Sequence, residues 1–225
     1  MGQDTQTILF DLDGTLIDHF MTIYRCYRYA QDVLGLEPAS YETVRATVGG
    51  SVPITMERLV GKENAERAVK LFRSHYAEIW KEDLVALPGS LELLKALHER
   101  GFKQAIFTNK EGNNARLVAD YLGYTPYLEK VFGTGDTPWR KPQPEFTRHV
   151  METMQADPAT TLMIGDSPWD IASAATAGLR CLVVATGSHS IKQLSANDPA
   201  PLGAYADLAE LGLEFFGVEI EACPA

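Results

Sequence analysis

The sequence contains no run approaching about 18 apolar residues, the length that marks a membrane-spanning helix. Nor does Met1-Gly2-Gln3-Asp4 begin a basic stretch leading into an apolar one, so neither a signal peptide nor a membrane anchor is expected. Cysteine is scarce: Cys26, Cys181 and Cys223 are odd in number and too far apart for a disulfide framework or a zinc knuckle, which points to a reducing, cytoplasmic setting. Gln6 stands where a myristoylation signal needs a hydroxyl, and Cys223 lies one residue too near the end for prenylation, so no lipid anchor is expected. Basic residues are outnumbered, 20 against 30 acidic, giving a net charge of −10. Such a surface repels a phosphate backbone, so no nucleic-acid partner is expected and an anionic small substrate needs local positive charge. No Gly-x-x-x-x-Gly-Lys-Ser/Thr run and no Gly-x-Gly-x-x-Gly fingerprint is present, which removes two common phosphate-binding loops.

What is present is an ordinary folded composition, 45% hydrophobic and 22% charged, long enough for a buried core plus a smaller insertion. Strand-length apolar runs occur at Thr7 to Phe10, Gln104 to Phe107, Tyr127 to Phe132, Thr161 to Ile164 and Arg180 to Ala185. Between them, Ser90 to Arg100 ends at Gly101, Gly112 to Leu122 ends at Gly123, Pro144 to Met154 opens with proline, and Pro168 to Ala177 closes at Gly178. Proline at the start and glycine past the end punctuate helices. Strands alternating with helices predict an α/β fold, a doubly wound, Rossmann-like parallel sheet covered on both faces.

Residues 18–87 break the alternation with helical periodicity alone. Phe20, Ile23, Tyr24, Tyr27 and Leu34 share one face, and Ala65, Ala68, Val69, Phe72, Tyr76, Ile79 and Trp80 another, so an inserted helical unit with its own aromatic core is expected. The division predicted is a core of residues 1–17 and 88–225 and an α-helical insertion of 18–87.

Four strand ends carry polar residues. The first strand runs into Asp11-Leu12-Asp13-Gly14-Thr15, and open α/β sheets bind ligands outside the carboxyl ends of their strands. Two carboxylates about 4 Å apart repel by ~4 kcal/mol at an effective dielectric of 20, so the pair wants a cation. Thr108-Asn109-Lys110 follows the second strand and offers a hydroxyl and fresh N–H groups, or simply a helix cap. Lys141, in Arg140-Lys141-Pro142, is either a solvated loop charge or a phosphate partner ahead of a helix. Gly165-Asp166-Ser167-Pro168-Trp169-Asp170 places Asp166 at a strand tip, Ser167 as N-cap and Asp170 in the first helical turn, where a carboxylate also suits the helix dipole.

In this order and at these strand ends, the four segments resemble the four motifs of the haloacid dehalogenase superfamily, over Ile8 to Asp170. The helical insertion and Thr108-Asn109-Lys110 are similar to the phosphoglycolate phosphatase-like branch, in which the insertion forms a cap. The resemblance implies a phosphatase acting on a small phosphorylated metabolite through an aspartyl-phosphate. Asp11 would be the nucleophile and Asp13 the general acid and base. Mg²⁺ would be held by the Asp11 carboxylate, the Asp13 main-chain carbonyl and the Asp166 carboxylate, an all-oxygen set. Thr108, the Asn109 amide and Lys141 would surround the phosphoryl oxygens, with Asp170 orienting the metal's waters or Lys141.

In the insertion, Val48-Gly49-Gly50-Ser51 resembles the family's substrate-facing loop, although a simple turn reads equally well. Specificity is expected near Gly49, Gly50, Ser51, Tyr24, Arg28 and Arg45. His19 departs from the pattern, standing where relatives carry a small hydroxyl residue; it could contact substrate or start the next helix. Alternatives within the family are a β-phosphoglucomutase-like mutase, a pyrophosphatase, or a phosphonatase using Lys62, Lys70 or Lys81 as Schiff-base lysine. Asp13 counts against a dehalogenase. Outside enzymes stands a non-catalytic phosphate binder. The assembly expected is a monomer or homodimer.

Overall fold

The computed structural model describes residues 5–220; Cys223 and the first four residues, Gly2 among them, lie outside these. Among the described residues eight strands and ten α-helices follow in the order β1 (Thr7–Phe10), β2 (Ile17–Asp18), α1 (Phe20–Val33), α2 (Tyr41–Arg45), α3 (Val52–Val60), α4 (Lys62–Ile79), β3 (Val85–Ala86), α5 (Ser90–Glu99), β4 (Lys103–Glu111), α6 (Gly112–Tyr121), β5 (Lys130–Thr134), α7 (Pro144–Met154), β6 (Thr161–Gly165), α8 (Pro168–Thr176), β7 (Arg180–Val184), α9 (Ile191–Ser195), β8 (Gly203–Tyr205) and α10 (Leu208–Leu211). Six strands form one sheet in the order β5-β4-β1-β6-β7-β8, every neighbouring pair parallel.

Side chains alternate across a strand, so β1 feeds two cores. Ile8 and Phe10 join Leu93, Leu97, Val118 and Leu211 from α5, α6 and α10 on one face. Leu9 joins Phe146, Val150, Ile171 and Leu194 from α7, α8 and α9 on the other. Burial on both faces is why these strands read as continuous apolar runs.

The segment between β2 and β3 is helical, with a separate cluster built from Ile23, Tyr27, Ala30, Met56, Ala68, Phe72 and Tyr76. Truncating a ring such as Phe72, 4% exposed, would cost about 3–5 kcal/mol. Where the chain enters and leaves this unit, Ile17–Asp18 pairs antiparallel with Val85–Ala86. That ribbon corrects the expectation of a purely helical insertion; two-residue strands carry too little pattern to be seen.

Two further corrections concern strands. The run expected at Tyr127 to Phe132 starts at Lys130, because Thr125–Tyr127 forms a 3₁₀ turn around Pro126. Gly203–Tyr205, an edge strand, was not expected. Among the described residues no helix is long and apolar enough to cross a membrane, and Cys26 and Cys181 are buried and unpaired.

Candidate active site

Strand β1 lies between β4 and β6, so the chain winds outward from it in both directions and a crevice opens at its carboxyl end. Asp11 is the first residue past β1; its N–H donates to Ile164 O at 2.9 Å, continuing the ladder. The chain then turns sharply. The amides of Thr15, Leu16 and Ile17 all donate to Leu12 O, and Gly14 sits at φ +91°, where a Cβ would come within 2.5 Å of Asp166 Oδ2. That turn sends Thr15 Oγ1 to Asp166 Oδ1 at 3.3 Å.

Asp166 and Asp170 come from the β6–α8 junction. Asp170 closes a capping box: its Oδ2 accepts from the N–H of Asp166, the N–H of Ser167 and Ser167 Oγ. Its Oδ1 lies 2.5 Å from Lys141 Nζ, and the same ammonium is 2.9 Å from Asp11 Oδ1. Of the two roles expected for Asp170, orienting Lys141 is the one its contacts fit. Lys141, only 1% exposed, is no solvated loop charge. Burial lowers its pKa, but the carboxylates of Asp11 and Asp170 reverse that and raise it.

One residue binds the parts together. Asn109 Oδ1 accepts from Lys141 N–H at 2.8 Å, and its Nδ2 donates to Lys141 O and to Gly49 O at 3.1 and 2.7 Å. Those bonds occupy the carboxamide, so the side chain of Asn109 fixes the loops; only its main-chain amide is left for the phosphate role expected of it. Thr108 is 2% exposed and lines the same cavity as Asp11 and Asp13.

Carboxylate oxygens of Asp11, Asp166 and Asp170 all lie within 4.8 Å of one another, and all three residues are buried. Burial pushes Asp11 up to about 6, Lys141 opposing and Asp170 adding to the rise. Asp166 is raised well above the usual carboxylate range by burial, then by Asp170 and Asp11. Lys141 offsets one of these charges; a divalent ion would offset the other two. Asp170 is saturated by its own partners, which leaves Asp11 and Asp166 as side-chain ligands. Glycine keeps the space open on a second side, since a Cβ on Gly187 would sit 1.7 Å from Asp166 Oδ2. A hard cation such as Mg²⁺ therefore fits this all-oxygen cradle.

The cavity in front of Asp11 and Asp13 is walled by Ile23, Tyr27, Val48, Gly49, Gly50, Val52, Phe72 and Tyr76 from the helical unit, and by Thr108 and Lys110 from β4. Gly49 and Gly50 thus face it, as expected. Gly49, at φ +104°, approaches Trp169 so closely that a Cβ would meet the indole at 2.8 Å. Ser51 instead faces a neighbouring groove with Arg73 and Asp136.

The other specificity residues expected here do not line the cavity. Tyr24 packs edge-on to Tyr41, exposed Arg28 pairs with Asp32, and Arg45 donates to Gly187 O at 2.9 Å. His19 is fully buried; it occupies the N-cap position of α1 without a side-chain cap, its Nε2 2.8 Å from Trp80 O. Burial, then Lys110, lowers it to about 4. Lys62 is exposed, Lys70 pairs with Glu66 and Lys81 stands over Trp80 and Tyr121. None of these three lysines of the helical unit lines the cavity.

Two further site residues, Lys110 and Gly187, are not marked as such by the sequence motifs. Lys110 places Nζ 2.9 and 3.1 Å from the two oxygens of Asp13; its position two residues beyond Thr108, on the same strand end, was the available signal. Gly187, after β7, had none.

Comparison with known proteins agrees with this geometry. The family model described as haloacid dehalogenase-like hydrolase matches residues 8–184. A phosphoglycolate phosphatase of Psychrobacter arcticus is 31% identical over 92% of this chain and 94% of its own length. One of Pseudomonas fluorescens is 29% identical over 88% of this chain and 76% of its own. In fold, a haloacid dehalogenase-like family protein of Streptococcus pneumoniae superimposes with a TM-score of 0.85 at 23% identity, covering 95% of this chain and 99% of the other. A hydrolase of Pseudomonas syringae gives 0.82 at 23%, over 96% and 100%. The chain belongs to the haloacid dehalogenase-like hydrolase family, in its phosphoglycolate phosphatase-like branch.

Proposed function

We propose that this enzyme hydrolyses a small phosphate monoester with Mg²⁺, through a phosphoryl group carried on Asp11. The observation that carries this reading is the convergence of Asp11, Asp166 and Lys141 in one buried cluster at the end of β1, with Asp13 two residues away on the cavity wall.

An oxygen of Asp11 attacks phosphorus, and the bond to the ester oxygen breaks as Asp13 gives that oxygen its proton. Asp13 then takes a proton from water, whose oxygen attacks the phosphoryl group and releases Asp11. Thr108 Oγ1, the main-chain N–H of Asn109 and Lys141 Nζ face the phosphoryl oxygens and balance their charge. Asp11, Asp166 and the carbonyl of Asp13 would hold the Mg²⁺, which supplies electrostatic relief between the nucleophile and the anionic phosphoryl group. Lys141, steered by Asp170, keeps the Asp11 oxygen directed at the cavity.

Residues 18–87 serve in this reading as a cap over the core of 1–17 and 88–225, excluding water through Val48, Gly49 and the aromatic wall. The protein would work in the cytoplasm as a monomer or homodimer. The test is phosphate release from a panel of small phosphate esters, pyrophosphate and a phosphonate, with Mg²⁺ and with a chelator. Release that needs Mg²⁺ supports the reading; none from any ester by folded protein overturns it.

A further inference from the structure

Lys110 lines the cavity beside Asp13. Its ammonium makes a two-pronged contact with Asp13, at 2.9 and 3.1 Å, and lies 3.4 Å from His19 Nδ1. Its side chain is 6% exposed and that of Asp13 11%, and it stands 5.2 Å over the ring of Tyr76.

The hydrogen-bond logic behind it has one solution. Trp80 O can only accept, so His19 Nε2, 2.8 Å away, carries the ring hydrogen. An ammonium can only donate, so Nδ1 is bare and accepts from Lys110. His19 packs edge-on against Tyr76, ring centroids 5.7 Å apart. A chain of contacts therefore runs from the end of α4, through His19 at the junction with the core, to Lys110 and the Asp13 carboxyl.

We propose that Lys110 is a positioning residue for Asp13, aiming its carboxyl at the leaving oxygen, with His19 bracing the lysine against the helical unit. This rests on the acid–base role of Asp13 proposed above. An acid displaced by about 1 Å loses on the order of a hundredfold in rate. In the first step, which kcat/KM reports, that loss falls only on esters whose leaving oxygen needs a proton; the water step, with Asp13 as base, is common to all esters.

The test compares wild type with Lys110→Met, which keeps the length of the side chain and removes its charge. Three substrates are used: 2-hydroxyethyl phosphate, phosphoglycolate and p-nitrophenyl phosphate. The expected result is a fall in kcat/KM of about a hundredfold on both alkyl esters and less than about threefold on the aryl ester. His19→Gln, which keeps a donor for Trp80 O, should show the same pattern more weakly and stands in should Lys110→Met not fold. An equal loss on all three esters would make Lys110 merely structural and overturn the proposal. A rise in KM confined to phosphoglycolate would overturn it too, making Lys110 a reader of substrate carboxylate. If wild type hydrolyses none of the three with Mg²⁺, the proposed function itself fails, an outcome distinct from both.

Discussion

Lys141 and Asp170 form an ion pair with Nζ 2.5 Å from Oδ1, in which neither side chain is more than 1% exposed. The lysine also holds Asp11, so a single ammonium is shared between two interior carboxylates. Removing one partner of such a pair leaves charge without compensation. Lys141→Met should therefore lower unfolding free energy by about 3–5 kcal/mol. Urea titration of the metal-free protein checks this, and a loss below about 1 kcal/mol would mean that other groups share the load.

Asp11→Asn keeps the size of the side chain but makes it a poor nucleophile. Phosphate release should fall by more than about a thousandfold, while circular dichroism stays that of the parent. Substantial remaining activity would rule out the covalent route.

Gly187→Ala tests the cradle without replacing a ligand. The added methyl would reach into the space of Asp166 Oδ2, 1.7 Å away, and Gly187 has no positive φ to confuse the outcome. Mg²⁺ should raise the melting temperature of wild type, since a ligand that binds only the folded state stabilises it. In the variant that rise should largely disappear. An undiminished Mg²⁺ response would place the ion elsewhere.

His19 is held neutral, at about 4 against an ordinary 6.5. Between these values the unfolded chain binds more protons than the folded one, so this group's contribution is complete above 6.5 and drains away as pH falls to about 4. The amount is about 3 kcal/mol. Asp11 acts oppositely, because its raised value makes the folded state bind protons more tightly as pH falls. The difference between wild type and His19→Gln isolates the histidine: the wild type should lose the extra stability between pH 6.5 and 4. Parallel pH profiles for the two proteins would show that His19 stays neutral for no structural cost.

The strands that form the site were legible because both of their faces are buried, which makes Thr7 to Phe10 and Thr161 to Ile164 stand out as apolar runs. Asp11 and Asp166 were legible as acids placed where such runs stop. The roles of Asn109 and Arg45 were not, since each bonds to main chain distant in sequence, Asn109 to Gly49 and Lys141, Arg45 to Gly187. No local pattern encodes a partner of that kind. His19 looked ambiguous for the same reason: its carbonyl partner, on Trp80, arrives only when the helical unit folds back. Tyr27 on one helical face and Phe72 and Tyr76 on another form the core that their spacing predicts; the same rings also wall the cavity, a double use that periodicity cannot separate.

The position of β1 in the middle of the sheet has a consequence for the chain as it is made. Thr7 pairs with Lys103 on one side and with Thr161 on the other, so β1 emerges well before both of its neighbours and must wait for them. Until β6 has emerged, the segment ending in Asp11 has an open edge and an apolar face on each side, the kind of surface that chaperones shield. A chain halted before β6 has no Asp166 and no second border for β1, so a truncated product holds no half-built site: Asp11 is synthesised early and assembled late.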